Sequence, residues 1–221
     1  MNQQKKNLGA LIVPGVILFI VGLFVFLVDI TDLGTALHGP VDFASLQPHE
    51  ITEGLYVEAT LDANFGCFAE EYEENTETKE VRTTNLYYVI WTGDENTEDW
   101  RYMGIDVIVY EMDAMEAMAE ETYSNGYAQT PLTYRGKIFK MSDEVYAYFE
   151  DYFLEAGFTP EEIEAGTLPY YIATGYSAGF TVFLVVISVV MMIVGVILFV
   201  VGVKHFHIKS KTEETEWTYV G

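Results

Sequence analysis

Two long apolar runs bracket this chain, and a stretch of mixed polarity lies between them. Residues 178–203, AGFTVFLVVISVVMMIVGVILFVVGV, contain no charged side chain and end against Lys204. Residues 8–28 form the other run, with Pro14, Gly15 and Gly22 inside it. About 20 apolar residues rising 1.5 Å each cross a hydrocarbon layer. The pattern therefore predicts one transmembrane helix over residues 8–30 and another over 178–203. A cleaved signal peptide is the alternative for the first run, with Gly34-Thr35-Ala36 as a small-x-small site, but its apolar core is normally shorter than this one.

Between the spans the period changes several times. Residues 31–52 read as a linker with turn signals at Gly39-Pro40 and Gln47-Pro48. Strand formers dominate 55–61, 65–72, 85–92 and 101–110, and acidic turns at 70–80 and 93–99 separate them. Met112, Met115, Met118 and Ala119 then share one helical face over 111–124, which Asn125-Gly126 ends. These methionines read as core filler, not as a soft-metal box. A strand follows over 132–141, then a helix capped by Ser142 and closed by Gly157. Thr159-Pro-Glu-Glu162 is a capping box with proline at the first helical position, and 168–174 is a last strand. A strand meander, an inserted helix and returning strands predict an α+β domain. Its sheet is expected to be mostly antiparallel, an OB-like sheet or small barrel with two or three helices.

The two spans share an octet, GVILFIVG at 15–22 and GVILFVVG at 195–202. Counted inward from the ends nearest the chain termini, Gly9 falls level with Gly202, Gly15 with Gly195, and Gly22 with Ser188. Small residues let helix backbones approach closely in lipid. Gly15, Gly22, Ser188 and Gly195 are therefore the candidate seam of an antiparallel hairpin, against the plainer reading that glycine is common in membrane helices.

The strand series from 54 to 110, the PLTYRG entry to the late strand at 131–136, and the flanking spans together resemble uncharacterised two-span bacterial membrane proteins with a small OB-like extracytoplasmic domain. The resemblance covers the whole layout and implies no activity.

Charge orients the layout. Lys5 and Lys6 precede the first run, and Lys204, His205, His207, Lys209 and Lys211 follow the second. By the positive-inside rule the segments 1–7 and 204–221 are cytoplasmic and 31–177 is an acidic extracytoplasmic domain of a cell-membrane protein. The net charge of −23 sits almost wholly in that domain, about 30 acids against Lys79, Arg82, Arg101, Arg135, Lys137 and Lys140. Nucleic acid is excluded as a partner; the lipid bilayer, a membrane or envelope protein with a basic surface, and weakly held calcium are the expected ones. Cys67 is the lone cysteine, so no intrachain disulfide forms.

Candidate chemistry is sparse. His38 and His49 both fall in the linker, which leaves no Ser-His-Asp or Cys-His constellation and no zinc spacing. The run Asp94-Glu-Asn96-Thr-Glu98-Asp99 faintly echoes a calcium loop, but the sixth-position glycine is missing and Ile105 stands at the twelfth. No catalytic, cofactor or metal residue is assigned. Neither span carries a mid-depth charge of the kind transport needs. An exposed subset of the tyrosines and tryptophans could form a sugar or peptide platform. The expected function is a binding or assembly module; the alternative is a carboxylate-based cell-envelope enzyme such as a glycan hydrolase.

Overall fold

The computed structural model describes residues 10–94 and 99–217, which fall into two compact units. One comprises the two terminal segments and the other is the domain Gly39–Ser177.

The terminal unit is a pair of helices, α1 (Ile12–His38) and α5 (Ala178–Trp217). Ile12–His38 and Ala178–His205 are long and apolar enough to cross a membrane, with mean hydropathy of 2.7 and 3.3. Their outer faces are apolar: Phe24, Leu27, Phe180 and Ile197 are each more than half exposed. Pro14 lies in the first turn of α1, where the backbone N–H has no intrahelical partner to lose. Both helices outrun the sequence-based bounds. α1 continues past residue 30, through Asp32 to His38, and Gly39 with φ +79° follows its end. α5 continues past residue 203 to Trp217.

The domain is α+β. Its strands are β1 (Val41–Asp42), β2 (Tyr56–Leu61), β3 (Cys67–Glu74), β4 (Val81–Asp94), β5 (Asp99–Ile108), β6 (Leu132–Lys140) and β7 (Thr167–Ala173). They form a seven-stranded sheet in the order β1-β2-β6-β7-β5-β4-β3. Its helices are α2 (Met112–Asn125), α3 (Asp143–Glu155) and α4 (Pro160–Gly166).

This sheet is mixed and not OB-like, which corrects the sequence-based expectation. β1 runs parallel to β2 and β7 parallel to β5, while the other pairs are antiparallel. Two tertiary facts decide it. First, β7 enters between β5 and β6, where Ile172 stands beside both Ile105 and Ile138, all three fully buried. Second, β2 and β3 are consecutive in sequence, but β2 lies next to one edge strand and β3 is the opposite edge. The crossing between them is pinned by the buried Asn64. Its Nδ2 donates to the Met115 carbonyl at 2.7 Å, and its backbone N–H donates to Thr122 Oγ1 at 3.1 Å.

Strand alternation sorts side chains onto two faces. One face carries Tyr88, Ile90, Met103, Ile105, Val107, Ile138 and Ile172, and Met115 and Met118 of α2 pack on it. The other carries Val89 and Tyr171, covered by Phe149 and Phe153 of α3 and Ile163 of α4. The methionines are thus core residues. Residues 39–52 are not a free linker: Phe43, Pro48 and Ile51 are buried, and Phe43 and Ile51 join the larger core. The helix signals are present as read. Gly126 closes α2 with φ +84°, Ser142 Oγ accepts from the Val145 N–H, and Thr159 and Glu162 make a capping box with Pro160.

Candidate functional site

Between the chain leaving β2 and the last residues of β4 lies a cleft of about 1080 Å³. The end of β4 supplies Trp91, Thr92 and Gly93, and the start of β5 supplies Trp100 and Tyr102. Asp62, Ala63 and Phe65 form the opposite wall, Phe43 and Gln47 close one side, and Tyr127 stands just beyond α2. Aromatic rings set in β-strands are rigid, because strand packing holds them. Trp100 meets Tyr102 edge-to-face at 5.0 Å between centroids, and Phe65 meets Tyr102 at 5.2 Å. Trp91 Nε1 donates to Asp62 Oδ1 at 3.1 Å, which fixes both the indole and the carboxylate. Burial pushes the Tyr102 phenol pKa up, so it stays neutral. The Thr92 hydroxyl is buried in the wall without a hydrogen-bond partner among the described residues.

A second, smaller pocket of about 260 Å³ opens elsewhere on the domain. Asn85, Asp106, Ile108, Phe139 and Tyr176 line it. It sits on the face that α3 and α4 cover, but lies beyond the residues they pack on. Asp106 projects from β5, where Tyr87 is its partner on β4 and Ala173 its partner on β7. Desolvation first, and the nearby Glu71 carboxylate second, raise the Asp106 pKa to about 7. Asn85 Nδ2 donates to Asp106 Oδ2 at 3.4 Å and to Glu71 Oε2 at 3.2 Å, so one amide bridges two carboxylates. Lys137 Nζ lies 5.6 Å from the centroids of the Phe139 and Tyr176 rings. Chemically, this pocket can hold a proton at neutral pH.

The structure brings the candidate seam residues together on the helix pair. A Cβ at Gly15 would come within 2.8 Å of the Gly195 carbonyl, and one at Gly22 within 2.9 Å of the Ser188 carbonyl. Gly202 meets Ile12, and Gly9 lies outside the described residues. Thr181 is also buried, so Thr181, Ser188, Gly195 and Gly202 recur at seven-residue spacing along α5. Of the calcium-like run, residues 95–98 lie outside the described residues, and Asp99 Oδ1 is 3.6 Å from Arg101 Nη1.

A family model described as Domain of unknown function (DUF8577) matches residues 2–205. The chain belongs to that family. The match takes in both apolar helices and the whole domain between them. No curated protein and no solved structure matches the chain.

In this DUF8577 member, one feature of the sites escapes a linear reading and another does not. Asp62 and Trp91 are 29 positions apart and meet only because the chain leaving β2 crosses to the end of β4. Asp106, by contrast, left a signal: it is a lone carboxylate inside the apolar strand segment GIDVIV. An acid at that place in such a run marks either a sheet rim or a desolvated group.

Proposed function

We propose that this is a two-span membrane protein with cytoplasmic termini, whose acidic domain 39–177 lies outside the membrane and binds a ligand in the Trp91–Trp100 cleft. The cleft carries the reading. A concave site with aromatic walls and a few fixed polar groups is the usual form of a binding site, and this one is built where β4 ends and β5 begins. The membrane placement is supported by the apolar outer faces of α1 and α5 and by the lysines at their chain ends.

One observation favours a second reading, a carboxylate-based enzyme acting on cell-envelope glycans. Asp106 is a carboxyl with its pKa near 7, bridged by Asn85 to Glu71, and such a pair could divide acid and base roles.

The test is an array of peptides and glycans probed with the detergent-solubilised full-length protein, wild type beside Trp100→Ala and Asp106→Asn. Binding that disappears only with Trp100→Ala supports the binding module. Probes that are cleaved by wild type and left intact by Asp106→Asn would transfer the assignment to the enzyme. Binding that survives Trp100→Ala unchanged would remove the cleft from the argument.

A further inference from the structure

The end of β4 that lines the cleft has an open hydrogen-bonding edge. β3 pairs with β4 as far as Cys67 opposite Tyr88. One residue further, the Phe65 N–H donates to the Val89 carbonyl and the Val89 N–H donates to the Gly66 carbonyl, both at 2.9 Å. Beyond that point the chain bends away towards β2. In antiparallel pairing the backbone groups of alternate residues face the same neighbour. The N–H and C=O of Trp91 therefore face the side that Val89 faces, away from β5, and among the described residues no strand pairs with them there. Trp91 and Gly93 both line the cleft, so this edge opens into it.

Resting on the cleft as the binding site, we infer that its ligand is an extended, lysine- or arginine-bearing segment of a partner protein, added as a short strand along the open end of β4. Main-chain hydrogen bonds to a free edge are the basis of strand addition, and flanking pockets read alternate side chains. The flanks here suit a cation. The Asp62 carboxylate is exposed at the cleft, and the rings of Trp100 and Tyr127 offer π faces. The strongly acidic domain attracts a basic segment over longer range. A second copy of the same domain carries the same excess of acid and is repelled.

The probe is a fluorescein-labelled hexapeptide of alternating lysine and valine, titrated by anisotropy against the full-length protein in detergent. Two further forms carry N-methyl groups, one on the valines and one on the lysines, so that each loses the amide donors of one edge. A neutral tetrasaccharide of N-acetylglucosamine is the other arm. We expect the hexapeptide to bind, one methylated form to bind about tenfold more weakly, and the other to be tolerated. Trp100→Ala and Tyr127→Ala should each weaken it; Tyr127 is 60% exposed, so its removal leaves the fold intact. Equal affinity for all three peptide forms would mean attraction to acidic surface alone and would overturn strand addition. Binding of the saccharide in place of the peptide, lost with Tyr127→Ala, would overturn the peptide ligand and keep the cleft. Indifference of every probe to both variants would remove the cleft as well.

Discussion

Asn85 donates from Nδ2 to Asp106 Oδ2 at 3.4 Å across the β4–β5 pair, and Asp106 Oδ1 stays buried without a hydrogen-bond partner among the described residues. One long hydrogen bond does not replace the water that a free carboxylate would hold. Ionisation is therefore disfavoured, and the pKa rises from 3.8 to about 7.

This relationship sets a pH dependence of stability. Between about pH 4 and pH 7 the folded state holds a proton on Asp106 that the unfolded state has released. The contribution of Asp106 to stability should therefore be greatest below its unfolded value and be lost as pH rises through 7. Asp106→Asn should flatten that decline. Above pH 8 it should stabilise the protein, on the order of 1–2 kcal/mol after allowance for solvent screening at this partly open site. Melting curves of the two proteins at pH 5 and pH 8 measure it. A variant that melts below wild type at pH 8 would contradict the assignment.

The helix pair gives a second expectation. Leucine at Gly15 or Gly195 would drive a side chain into the opposing helix, whose backbone atoms would lie only 2.7–2.8 Å from the new Cβ. Each substitution should cost about 1–2 kcal/mol, in the range of single packing terms in membranes. Gly34→Leu is the control, because nothing lies within 4 Å of a Cβ there. Thermal denaturation in detergent should rank Gly34→Leu with wild type and both seam variants below it.

Asn64 should be the costliest polar side chain to truncate. Asn64→Ala leaves the Met115 carbonyl and the Gly66 N–H without the partners they have at 2.7 and 3.0 Å. Losing one buried and one part-buried hydrogen bond costs about 1–3 kcal/mol. A shift in the denaturant midpoint corresponding to less than half of that would mean the β2–β3 crossing is held by something else.

Topology is testable by cysteine labelling on intact cells. Cys67 is exposed and would give a background signal, so the reporter Thr76→Cys belongs in a Cys67→Ser chain. Thr76 lies in the turn between β3 and β4. A membrane-impermeant maleimide should label it before lysis; labelling only after lysis would reverse the orientation.

Salt should stabilise the domain. Its carboxylates repel one another, and a Debye length of about 10 Å at 0.1 M ionic strength screens that repulsion. Sodium chloride should raise the melting temperature, and calcium at matched ionic strength should add little. A distinct calcium increment at millimolar concentration would instead establish a metal site.

Local features were readable without the fold. The two apolar helices, the Ser142 cap, the Thr159 capping box and the glycine ends of helices follow from period and from backbone chemistry acting over four or five residues. So do the strands other than β1, which falls in the stretch read as a linker, since alternation and β-branching act within one strand. Pairing is another matter. Nothing within 167–173 says that β7 will lie parallel to β5, because its neighbours, Ile105 and Ile138 on either side of Ile172, come from distant segments. Nor does the stretch 62–66 announce a crossing, because its anchor is a carbonyl on α2, some 50 residues on. Residues 43–51 look like a linker until the core that buries Phe43 and Ile51 exists. The cleft depends on the same step. Trp91 and Tyr102 are strand residues in the sequence reading, which leaves Trp100 just outside, but their meeting with Asp62, and the open edge of β4 beside them, arise only when the chain crosses from β2 near one edge of the sheet to β3 at the other. Sequence determined what each segment would be, through forces that act between near neighbours. Tertiary structure decided which segments would touch, through burial and hydrogen bonding between residues far apart in the chain.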